Sequence, residues 1–234
     1  MDLTRFIQVY IAQGIICLYF IFLGIRILSH NRKQHLNILL SCSYFTVAIG
    51  FIINFIYAPI TNESIVLVLY YMTLFFLFLY PAFLLAFILM LYKSEKLFNM
   101  AKGIFVVIIY AIILVGMVFI PNGVTINART DWKPVWSWLL LIYVMTVLTI
   151  AFIVSFYVST KIYKEFKDEQ LKKKWRFFLI GIAIFYVFTF GTLLSNTLNI
   201  QAFRNIWSII SLILVFVSPY MMYYGVGKQI REEE

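Results

Sequence analysis

The sequence predicts an all-α integral membrane protein, a bundle of seven transmembrane helices with the N-terminus outside and the C-terminus in the cytoplasm. Apolar residues make up 63% of the 234, and only 12% are charged. A soluble domain of this length has too little interior to hide so much apolar surface. Seven apolar runs are long enough to cross a bilayer, and the charges sit between them. The basic residues are also one-sided, with fifteen on one set of loops and tails and four on the other. Loops rich in Lys and Arg stay in the cytoplasm, which orients the chain.

Taken in order, the spans fall at about 5–28, 36–57, 65–92, 103–120, 138–160, 177–195 and 206–224, forming one domain over residues 1–234. The N-terminal MDLTRF lacks the basic start of a cleaved signal peptide, and the first apolar run is too long for one, so it is read as a retained span. Span three, with 28 residues, would reach about 42 Å and must tilt or project from the hydrocarbon. The longest charged segment is Lys161–Arg176, KIYKEFKDEQLKKKWR, which carries seven basic residues. It sets the cytoplasmic side, and Lys161–Glu169 is expected to continue span five as a helix with a narrow apolar face at Ile162, Phe166 and Gln170. Either it is a solvated, topology-setting segment, or Lys164, Lys167, Lys172, Lys173, Lys174 and Arg176 contact anionic lipid or a cytoplasmic protein. Aromatic residues at the expected interfaces agree with this orientation: Tyr57, Trp132, Trp136 and Trp138 outside, Tyr92, Tyr157 and Trp175 inside.

All ten acidic and nineteen basic residues are placed in loops or tails, so no Asp, Glu, Lys, Arg or His lies in the middle of a span. Proton relays, voltage sensors and cofactor counter-ions need such groups. A retinal Schiff base needs a lysine in the last span, and Ile206–Tyr224 has none. His30 and His35 share a loop and suggest no metal site, while Cys17 and Cys42 fall inside apolar runs and suggest no disulfide. No nucleophile–base arrangement or phosphate-binding loop is present, so neither an enzyme nor a cofactor is expected. The net charge of +9 is accounted for by topology without nucleic acid.

What the spans do hold is uncharged polar side chains, biased to the outer side: Gln8, Tyr10, Gln13, Asn54, Tyr57, Tyr70, Tyr71, Ser195 and Asn196, with Tyr143 and Trp207 nearby. Two readings stay open. These groups bond one helix to another, or they line a pocket for a neutral or lipid-like ligand. Pro81 and Pro219 remove helix hydrogen bonds and make either fixed kinks or hinges. Ala82 and Ala86 form a small-xxx-small pair suited to close helix approach, and Asn62-Glu63-Ser64 is a glycosylation sequon on the outer side. A faint internal echo pairs Gly50 with Gly191 and Asn54 with Ser195, as a 3+1+3 duplication would.

The run LYYMTLFFLFLYPAFLLAFILMLYKSEK at Leu69–Lys96, then VGMVFIPN at Val115–Asn122, a Trp-containing outer loop and KKKWRFFLIGIA entering span six resemble the seven-helix sensor region of prokaryotic histidine kinases. That resemblance implies a multi-pass cell-membrane sensor that signals through its last helix. Here the sequence ends at Glu234, ten residues after Tyr224. The expectation is therefore a stand-alone receptor-like protein whose output belongs to a separate cytoplasmic partner or to self-association. The alternative is a small facilitative transporter of neutral solutes with a 3+1+3 arrangement like that of the SWEET family, although the Pro-Gln motif of that wider family is missing.

Overall fold

The computed structural model describes residues 6–227, apart from the side chains of residues 94–96. Arg5, Lys228 and Arg231, and the side chain of Lys96, which the charge count uses, lie outside what is described. Among the described residues there are seven helices long and apolar enough to cross a membrane. They are α1 (Ile7–Leu28), α2 (His35–Tyr57), α3 (Glu63–Leu97), α4 (Met100–Val115), α5 (Trp138–Glu165), α6 (Glu169–Leu198) and α7 (Gln201–Met222). α1 opens with wide π-helical turns at Ile7–Ala12, and α7 runs on into another at Tyr223–Gly227.

The helix starts follow local chemistry. Asn99, Ser137 and Asp168 each accept a hydrogen bond from a backbone N–H of the first turn they precede, supplying an acceptor to donors that have none within the helix. α6 stops at Asn199, which takes the left-handed conformation at φ 52° that asparagine tolerates.

Two connecting segments prove much shorter than read. In Lys161–Arg176 the expected continuation of span five stops at Glu165 and not Glu169, and after Phe166, Lys167 and Asp168 α6 begins at once. Trp175 explains this, because its ring packs on Phe166 and Phe178 and its indole N–H donates to the Ser159 carbonyl at 2.8 Å. Ile162 is buried there too, but Phe166 lies in the break and Gln170 is exposed on α6, so the three do not form the one helical face expected. The predicted turn Asn196–Asn205 contracts to Asn199 and Ile200, which puts Arg204 in the first turn of α7.

Between α4 and α5 the chain forms a small antiparallel hairpin, β1 (Val124–Thr125) with β2 (Val135–Trp136). It caps one end of the bundle, and the basic segment marks the other. These are called the hairpin end and the lysine-rich end below. Trp136 and Trp175, read as interface aromatics, are instead almost wholly buried, whereas Trp138 is exposed.

α3 occupies the middle. It packs on α2, α4 and α5, and through Tyr80–Phe185 and Phe87–Phe178 it also touches α6. The outward faces of α1, α4 and α5 carry Leu18, Ile112 and Ile150 fully in the open, as lipid-facing surfaces do.

Candidate functional site

The polar residues singled out at the hairpin end do not converge on one point. Asn54 of α2 donates its amide to the Gln13 carbonyl oxygen of α1, and the Tyr10 hydroxyl donates to the Phe55 carbonyl at 3.1 Å. Tyr57 and Tyr70 meet edge-on at 6.2 Å, and the Tyr70 oxygen accepts the Trp136 indole N–H at 2.7 Å. Tyr71 lies under the hairpin, where a Cβ on Gly123 would sit 2.9 Å from its hydroxyl. Tyr143 turns away, donating to the Ile113 carbonyl of α4. Trp207 lies over Gly191 and donates to the Thr192 hydroxyl at 3.1 Å. Ser195 is buried on α6 and Asn196 half-buried beside it, and Gln8 is exposed. Several of these groups therefore join neighbouring helices, the first of the two open readings.

Arg204 entered the sequence reading only as one of the four basic residues on the outer side. Its guanidinium donates to the Pro134 carbonyl at 2.7 Å and to the Ser195 carbonyl at 3.3 Å. It ties the hairpin, the end of α6 and the start of α7 together.

The most unusual surface belongs to α7. Its buried residues are Val215, Ser218, Pro219 and Met222, all in the half nearer the lysine-rich end. At 100° per residue, Gln201, Asn205, Ser208, Leu212, Phe216, Pro219 and Tyr223 form one continuous stripe. The lower part of that stripe meets the bundle. Phe216 accepts a hydrogen bond at its carbonyl from Tyr19 of α1, 3.3 Å away, and Tyr223 lies beneath the Arg26 guanidinium of α1. The upper part, Gln201 to Leu212, is exposed. α1 runs parallel to α7, and its matching stripe is Gln8, Ala12, Ile15 and Tyr19. Of these Gln8 and Ile15 are also exposed. The two helices thus meet at Tyr19–Phe216 and present uncovered faces towards the hairpin end. Along the α7 face Gln201 bonds the Asn205 side chain at 2.8 Å and Ser208 bonds the Asn205 carbonyl at 2.7 Å.

Below the parting, the last helix is held tightly. Tyr44 of α2 donates to the Pro219 carbonyl at 3.1 Å, Tyr80 of α3 to the Met222 sulfur at 3.0 Å, and Ser218 to the Gly181 carbonyl of α6 at 2.9 Å. Pro219 therefore sits inside a ring of contacts from α2 and α6. Pro81 lies in α3, which runs unbroken from Glu63 to Leu97. Sequence reasoning missed Tyr19, Tyr44 and Tyr80. The available signal was chemical: a phenol in mid-span needs an acceptor, and the acceptors here are backbone carbonyls and a thioether.

At the lysine-rich end, Lys164, Lys167, Lys173 and Arg176 are exposed, while Lys172 and Lys174 are half-buried. Lys172 pairs with Glu169 at 2.8 Å, and Arg176 donates to the Tyr163 hydroxyl at 3.1 Å. Among the described residues no three His, Cys, Asp or Glu side chains gather to hold a metal ion. Comparison with known protein families, curated proteins and solved structures finds no match to this chain.

Proposed function

We propose that this is a receptor-like membrane sensor that takes up a neutral, lipid-like ligand between α1 and α7 and signals through a separate partner at the lysine-rich end. One observation carries the reading. The α7 stripe that is buried at Pro219 is uncovered at Gln201, Asn205 and Ser208, beside an α1 whose Gln8 and Ile15 are also exposed. Amide and hydroxyl groups along an apolar cleft suit an uncharged amphiphile, because such a site orients a hydrogen-bonding headgroup without an ion to pair with it. Gln8 and Trp207 flank this parting, while Gln13, Asn54, Tyr57, Tyr70, Tyr71, Ser195 and Asn196 shape the surrounding hairpin end. Filling the cleft would load the outer half of α7, and the tyrosine contacts below Phe216 would carry that load onward. Basic side chains at the far end suit an acidic partner or anionic lipid. The hairpin end is taken as outside, in keeping with the charge distribution and the resemblance to kinase sensor regions.

The test is thermal stability of the whole chain in nanodiscs, titrated with monoacylglycerols and long-chain alcohols as uncharged amphiphiles. Saturable stabilisation is expected, and Asn205→Leu with Ser208→Leu should abolish it while leaving the unliganded melting temperature close to that of the parent. Absence of saturation with any of these lipids, or stabilisation unaffected by the two substitutions, would sink the reading.

A facilitative transporter is the second reading, and the glycine echo favours it. Gly50 receives Leu77 of α3 and Gly191 receives Trp207 of α7, each from the third helix of its triplet. Against it stands the fully buried aromatic filling of the centre by Tyr44, Tyr80, Phe87 and Phe178.

A further inference from the structure

α5 carries an outward stripe that ends in a cation. At 100° per residue, Ile150, Ile153, Val154, Tyr157 and Lys161 fall within about 100° of one another. All five are exposed, so the apolar length of the stripe faces lipid. Lys161 closes it, with its ammonium 4.6 Å from the centroid of the Tyr157 ring. α3 repeats the arrangement, where the exposed Lys93 has its ammonium 5.4 Å from the centroid of the Tyr92 ring. Both helices run from the hairpin end to the lysine-rich end, and side chains lean towards the start of their helix. Each ammonium is therefore drawn back towards the hydrocarbon and held on a phenol, an attraction that grows as water is excluded.

Contacts with α6 set the two lysines at one depth. The ring pairs Tyr80–Phe185 and Phe87–Phe178 run α3 antiparallel to α6 and bring Lys93 level with Lys172. Phe152–Tyr186 and the Trp175 bond to the Ser159 carbonyl do the same for α5 and bring Lys161 level with Trp175. The two lysines thus differ in depth by about 5 Å, less than one helical turn. α3 and α5 also pack on each other, and the Tyr92 phenol lies within electrostatic reach of Lys161. Among the described residues neither ammonium is paired with a carboxylate, and Glu165, one turn beyond Lys161, stays outside pairing distance. The basic run of α6 is built differently. Lys173 leans outwards, because α6 starts at this end, and Lys167 sits in the break before it. Both are exposed, and neither lies over a ring among the described residues. A phosphodiester at the membrane surface meets cations already ordered at its own depth at less entropic cost than cations free in water.

We infer that Tyr92, Lys93, Tyr157 and Lys161 seat the phosphate of an anionic phospholipid in the leaflet at the lysine-rich end, with an acyl chain along the α5 stripe. The basic run beyond them adds long-range attraction but no seat.

The probe is phosphatidylglycerol mixed into phosphatidylcholine nanodiscs that hold the whole chain. After release into mild detergent, native mass spectrometry should show phosphatidylglycerol retained several-fold over phosphatidylcholine. Lys93→Gln with Lys161→Gln should cut that preference several-fold. Lys167→Gln with Lys173→Gln removes the same charge and should leave the preference nearly unchanged. Lys93→Arg with Lys161→Arg should keep it, because arginine also lies over aromatic rings. All three pairs change exposed side chains and should melt close to the parent in phosphatidylcholine alone. Equal losses from the two glutamine pairs overturn the seat, because general charge attraction then accounts for retention. An undiminished preference without Lys93 and Lys161 overturns it too, as does unfolding of that pair, which would make the lysines structural. Stabilisation by inorganic phosphate as large as that by phosphatidylglycerol also overturns it, because no lipid is then required.

Discussion

Gly181 and Gly225 let two backbones come together at the lysine-rich half of α6. A Cβ on Gly181 would lie 2.9 Å from both the Met222 nitrogen and the Ser218 carbonyl oxygen, and one on Gly225 would lie 2.7 Å from the Phe178 nitrogen. Backbone atoms do not swing aside as a side-chain tip does. Gly181→Ala should therefore destabilise the bundle by about 1–3 kcal/mol, the usual cost of overpacking. Gly14→Ala, with nothing within 4 Å, should be neutral or slightly stabilising. Thermal melts in one lipid composition compare the two. Single residues were also where sequence reading was weakest. Trp136 and Trp175 look like interface aromatics because indole favours that depth, yet both are buried with their N–H groups satisfied by Tyr70 and the Ser159 carbonyl. Composition shows that an indole is present but not which acceptor the fold brings to it.

At the scale of elements, the spans were legible because hydropathy and length are what a bilayer selects. Their ends were not. Asp168 starts α6 one residue before Glu169, and Lys172 reinforces that turn through its pair with Glu169, so charged residues extend a helix instead of marking a loop. The hairpin was invisible for a different reason: each strand is two residues long, too short to show alternation. Arg204 is what fastens it. Arg204→Leu should leave the seven helices intact but raise amide hydrogen exchange of residues 124–136 and of the first turns of α7. Exchange unchanged in both segments would show that the hairpin is held by the burial of Val124, Ile126 and Trp136 alone. At this scale the polar residues of the hairpin end were legible as residues, but their partners were not, and the uncovered stripe of α7 escaped the reading because Asn205 and Ser208 had not been singled out.

For the molecule as a whole, the charge asymmetry predicts orientation, and chemistry at the two ends checks it. In intact cells a cysteine introduced by Arg129→Cys, in the hairpin, should react with a membrane-impermeant maleimide. One introduced by Lys173→Cys should react only after permeabilisation. Cys17 is buried, and Cys42 is half-buried within α2, which favours low background labelling. The reverse pattern would invert the topology and move the proposed cleft to the other leaflet.

The grip on Pro219 and Met222 also bears on how the chain is made. Its donors, Tyr44 and Tyr80, lie in α2 and α3, and their acceptors lie in α7, which leaves the ribosome well after them. During synthesis those phenols wait in the bilayer without their final acceptors. A nascent chain halted before Gln201 would hold six helices with an unfilled seam, a natural target for quality-control proteases until the seventh slides home.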